Sequence, residues 1–225
     1  MEGVWDTSFG VYADCYFFNF RNLNQQVFIF LLMMLTEETI IKQLNENHTK
    51  GFVKQLAAQL LKEHFNLNRL VDLTFHPDQQ TGFRAAWLLD TAILANPELY
   101  TTTITYLMQR MPQVTNASCK RHYARVMMHL TDAKAPLNVR ETIAGADLES
   151  LVETCFDWMI DPETKVAVQV CAADTLFNLI PRFNWIKNEL ENQVKFMMRT
   201  GTAAMQARGK KLLAKLEKFQ VLLRR

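Results

Sequence analysis

From Thr36 to Leu223 the apolar residues recur three and four positions apart, and no stretch sustains the strict alternation of a half-buried strand. That period belongs to helices with one buried face. Polar caps and prolines divide the run. Thr36–Asn47 and Thr49–Phe65 read as a first pair, the second with Phe52, Val53, Leu56, Leu60 and Leu61 on one face. Asn66–Phe75 is a short helix ended by His76-Pro77, and Pro77 opens a helix to Ala95, where its missing N–H costs little. Asn96-Pro97-Glu98 repeats the device ahead of Tyr100, Ile104, Leu107, Met108 and Met111. Ala117–Leu130 follows Pro112 and Asn116. Asp147 caps the stripe Leu148, Leu151, Val152, Cys155, Phe156, Met159, and Asp161-Pro162-Glu163 starts a partner helix ending at Ile180. Asn184–Arg199 and Thr202–Leu223, split at Gly201, close a series of roughly ten helices joined by short turns.

Four of these helices carry a small residue followed three positions later by a large apolar one: Ala86/Leu89, Ala124/Met127, Ala173/Leu176 and Gly209/Leu212. The small residues are 38, 49 and 36 positions apart. Helix pairs that bury their apolar faces only against their neighbours produce such a period. The long interval contains Thr131–Ala146, with Pro136 and Gly145, which has room for a loop or one extra short helix at an edge of the stack.

The strings Phe83-Arg84-Ala85-Ala86-Trp87-Leu88-Leu89, Tyr123-Ala124-Arg125-Val126-Met127, Val170-Cys171-Ala172-Ala173-Asp174-Thr175-Leu176 and Arg208-Gly209-Lys210-Lys211-Leu212-Leu213 carry this packing pattern. Through them, about residues 48–223 resemble the HEAT-like, armadillo-type helical repeat superfamily. The resemblance implies an all-α fold, a short right-handed α-α superhelix of stacked HEAT-like helical hairpins. It also implies a concave face lined by the second helix of each pair. It implies no reaction.

Residues 1–33 look different from the rest. They hold nine of the 24 aromatic residues, no Lys and only four charges, with no helical or strand period. They read as an N-terminal extension outside the repeat pattern, either a misassigned start or a capping segment, with the helical repeat domain spanning 34–225. The longest apolar run, Val27–Leu35, is about half of what a membrane helix needs. No basic segment precedes it and no small-residue cleavage site follows, so no secretory signal is expected. The four cysteines (Cys15, Cys119, Cys155, Cys171) show no paired spacing, which fits a reducing compartment without a disulfide framework. The expectation is a soluble, cytoplasmic chain that neither crosses nor coats a membrane.

Charge is balanced overall at +2 and uneven locally. Thr202–Arg225 carries a net +6 and Ala117–Lys134 a net +3, whereas Arg140–Asp157 carries −4. The two basic segments are second helices, so a shared surface would form a positive track, interrupted by Asp174 and Glu163. Such a track suits an acidic peptide or phosphates. No phosphate loop, dinucleotide turn, nucleophile elbow or metalloprotease motif is present, and no cofactor is expected. Cys119 and His122 sit at i, i+3, yet no second pair stands at ligand spacing, so no metal site is expected either.

The leading expectation is therefore a non-catalytic scaffold or adaptor that binds a protein or acidic peptide through Arg84, Arg121, Arg125, Lys165 and Arg208. The alternative is a nucleic-acid-binding protein related to the HEAT-like glycosylases that excise alkylated bases. In that reading Trp87 stacks on a base, Asp90 stabilises a cationic sugar and Arg125 holds phosphate. A structural account of the same three residues makes Trp87 core, Asp90 a solvated or capping group and Arg125 a surface charge.

Overall fold

The computed structural model describes residues 35–223. Contacts divide the chain into Met1–Thr36 and Glu37–Arg225. The expectations for residues 1–33, and for Cys15 among them, lie outside the described residues. Among those described there are eleven α-helices and no strand. They are α1 (Glu37–Glu46), α2 (Lys50–Lys62), α3 (Leu67–Leu73), α4 (Gln79–Ala95), α5 (Thr101–Arg110), α6 (Ala117–Leu130), α7 (Leu137–Gly145), α8 (Glu149–Ile160), α9 (Val166–Leu179), α10 (Ile186–Thr200) and α11 (Ala203–Leu223).

Local chemistry explains where several of these helices start. Thr49, Asn66, Asp78 and Asn116 stand outside their helices in extended backbone, and each side chain accepts from a first-turn N–H. The proline devices work differently from the sequence expectation. Pro77 precedes the cap of α4, and Asp78 takes the cap by accepting from the Thr81 N–H at 2.8 Å. Asn96-Pro97-Glu98 leads into a single 3₁₀ turn, Pro97–Leu99, before α5 starts at Thr101. Asp161-Pro162-Glu163 is also a turn: Asp161 accepts from the Glu163 N–H and the Thr164 hydroxyl, and α9 begins only at Val166. At Asp78 and Asp161 the carboxylate closes a local loop on the residues that follow, whereas at Asn96 backbone bonds from Leu99 and Tyr100 close the 3₁₀ turn; each arrangement delays the helix.

Two rows of helices follow from the packing. α2, α4, α6, α9 and α11 pack successively on one another. In the other row α3 packs on α5, and α5 on α7 and α8. The four small/large pairs all fall in α4, α6, α9 and α11, and all eight residues are buried. The small member of each pair lets the next helix approach. At Gly209 a Cβ would collide with the Met198 side chain of α10, 2.6 Å from its Cγ.

Thr74, at the C-terminus of α3, ties three helices together. Its hydroxyl donates to the Val71 carbonyl at 2.7 Å and accepts from the buried Tyr123 hydroxyl at 2.8 Å. Its carbonyl accepts from the Cys119 thiol, and a Cβ at Gly82 would sit 2.7 Å from that same oxygen. Glycine is thus required where α4 meets the end of α3. The long interval contains α7, an extra short helix whose Val139 and Ile143 are buried. Arg182 donates to the carbonyls of Ile143, Ala144 and Ala146 at 2.7–3.1 Å and so closes its C-terminus. No helix among the described residues is long and apolar enough to cross a membrane.

Candidate functional site

Asp90 lies late in α4 with no exposed side-chain surface. Its Oδ2 accepts from Arg125 Nη1 at 2.6 Å and lies 2.9 Å from His122 Nδ1. His122 and Arg125 are three residues apart in α6, so both reach the carboxylate from one helix face. Oδ1 is buried and has no hydrogen-bond partner. The arrangement braces α4 to α6: Arg125, 51% exposed, spans from a sealed carboxylate to solvent. Phe83 stacks near Trp87 at 6.4 Å and near the His122 ring at 5.6 Å, which packs the imidazole in place. Asp90 is therefore neither a solvated nor a capping group; it is a buried acceptor.

Trp87 and Arg125 line one groove of ≈ 490 Å³ with Lys50 and Lys54 of α2, and Asp90 borders it without exposing any surface to it. Trp87 is half-buried rather than core. Ala57, Leu61 and Leu94 add apolar lining. The sequence reading missed Lys50 and Lys54. Their i, i+4 spacing on one face was a usable signal.

A second cluster surrounds Cys171 on α9, which is half-buried. Burial pushes its thiol up first, and Asp174 adds to that, while Arg208, Arg125 and Arg121 each pull it down. Arg121 and Arg125 stand one turn apart on α6 and Arg208 stands on α11, and both helices pack on α9. Asp174, the carboxylate expected to interrupt a positive track, is held by Lys215 at 2.9 Å. Arg121 and Arg208 are exposed. Lys165 is exposed at the N-cap of α9, six residues before Cys171, or about 9 Å along the helix axis. Arg84 stands apart from this group: it is half-buried and donates to the Asn45 side chain of α1.

Cys119 and His122 do not share a ligand position. The thiol donates to the Thr74 carbonyl, and the imidazole faces Asp90. Burial pushes Cys119 up to about 12, and Cys155 is also raised by burial, so both are held as neutral thiols. Among the described residues no group of three His, Cys, Asp or Glu could hold a metal ion.

No curated protein and no solved structure matches the chain significantly. A family model described as a HEAT repeat domain does match, over residues 40–216. This span takes in the packed helices from within α1 to within α11, all four small/large pairs and both clusters. Stacked helical pairs, a buried row of small/large contacts and a family match over most of its length agree: the chain belongs to the HEAT repeat domain family.

Proposed function

We propose that the protein is a non-catalytic helical-repeat scaffold that binds an acidic segment of a protein partner across α6, α9 and α11. The observation carrying this reading is that Arg121 and Arg125, exposed one turn apart on α6, and Arg208, exposed on α11, stand on helices that both pack against α9, where Asp174 is already held by Lys215. Guanidiniums held on separate rigid helices suit carboxylates, because each presents a fixed fork of donors. HEAT repeats commonly mediate protein interactions, and membership of that family supports a surface rather than a reaction centre. The sealed state of Asp90 favours the same side. A carboxylate that stabilises a cationic sugar must reach it, and this one has no exposed surface and two donors already on Oδ2. Lys165 extends the surface toward the start of α9, and Arg84 serves a separate contact with α1.

The test is charge reversal. Arg121→Glu with Arg208→Glu removes two cations without touching the Asp90 brace. An acidic peptide, followed by fluorescence anisotropy, is expected to bind the native protein and to lose at least tenfold in affinity to the double variant, about 1.4 kcal/mol. Unchanged affinity would contradict the reading.

A further inference from the structure

An apolar pocket of ≈ 70 Å³ lies among α8, α9, α10 and α11. Met159, Met197 and Met205 stand in its wall, and Arg208, Lys211 and Lys215 line it from α11. The volume is about half of the roughly 150 Å³ that accepts a benzene ring in an engineered cavity, which is room for one aliphatic side chain. Methionine walls adapt to such an occupant because the thioether chain is unbranched and flexible. The charge around the pocket is one-sided. Arg208 and Lys211 are exposed, and the one carboxylate in the lining, Asp174, is held by Lys215.

We infer that this pocket receives a single aliphatic side chain of the acidic partner segment, whose neighbouring carboxylates pair with Arg208 and Lys211. The inference rests on the proposed function and adds a second requirement to it. The partner must carry an apolar anchor flanked by acidic residues, not acidic residues alone. Arg208 links the two features: it lines the pocket together with Val170 and Asp174, which flank Cys171 on α9. A segment that pairs with Arg208 therefore lies at the mouth of the pocket.

Two acidic peptides that differ only at one central position, leucine or alanine, separate the requirements. Binding to the full chain is read by anisotropy, and the pocket by the methyl resonances of ¹³C-methyl-labelled methionine. The leucine peptide is expected to bind about tenfold more tightly and to shift the Met159, Met197 and Met205 methyl signals; the alanine peptide is expected to leave them in place. Val170→Trp, which fills the pocket from a half-buried lining position, is expected to abolish the difference while sparing the alanine peptide's affinity. If that variant does not fold, the methyl shifts decide alone. Equal, salt-sensitive binding of both peptides with unmoved methyls overturns the pocket and leaves the scaffold reading standing. Binding of neither peptide overturns both.

Discussion

A carboxylate with no exposed surface is tolerable only where donors meet it, and at Asp90 both come from α6 and fall on Oδ2. The energetic consequence is asymmetric. Losing Asp90 releases Arg125 into solvent it already half occupies; losing Arg125 strands a buried charge that has only His122 left. Arg125→Ala should therefore cost about 2 kcal/mol, and adding Asp90→Asn should recover much of that loss. Urea unfolding of the three variants checks this, and strictly additive losses would refute it. Buried thiols make a second residue-scale statement. Cys119 titrates near 12 when folded against 9.0 for an ordinary thiol, so its contribution is complete below pH 9 and is lost as pH rises toward 12. Cys155 is raised in the same direction. Native protein should thus lose more stability between about pH 8 and about pH 10 than a Cys119→Ala, Cys155→Ala variant; parallel losses would count against it. The sequence placed Trp87 and Asp90 on one face of their helix, and Arg125 one repeat later. What it did not disclose was that α6 covers Asp90, because spacing along one helix says nothing of which neighbour closes over that face. This matters most at His122, whose spacing from Cys119 gives no sign that its imidazole meets Asp90.

At the scale of elements, periodicity located the helices well, and cap chemistry decided their ends. The final hairpin splits at Gly201 as its apolar pattern implied, with α10 ending at Thr200 and α11 starting at Ala203. Starts marked by Asn-Pro or Asp-Pro were read too early. An Asp side chain that closes a turn, as at Asp161, or an Asn that opens a 3₁₀ turn, as at Asn96, looks in one dimension like a helix cap. The extra helix α7 is the clearest product of the long repeat interval. It is short, so little of its stability is its own; Val139 and Ile143 bury it, and Arg182 caps it from the segment that precedes α10. Arg182→Ala should destabilise the protein by only about 1 kcal/mol, since the guanidinium is exposed. Hydrogen exchange should nonetheless accelerate selectively in the α7 amides. Unchanged exchange there would mean that burial alone holds the helix.

For the molecule as a whole, the row α2, α4, α6, α9, α11 turns a one-dimensional period into a surface. In α4, α6, α9 and α11 a buried small/large pair fixes the helix, which leaves the polar positions between to face outward together. That is how Arg121 and Arg208, 87 positions apart, come to stand on the two helices that pack against α9. The all-α stack was legible because its repeat is a packing requirement, written in apolar residues. The composition of the binding face was partly legible: basic segments were visible as net charge, while Lys215 neutralising Asp174 depended on how α9 meets α11. The central claim is that this face is built for acidic protein rather than for phosphate. It is tested most directly by titrating the full chain against an acidic peptide and against a DNA duplex, each at low salt and near 200 mM salt. The account predicts that the peptide binds and that the duplex is released by the higher salt without any base excised. Duplex binding that persists at the higher salt, with base excision lost in Asp90→Asn, would contradict it.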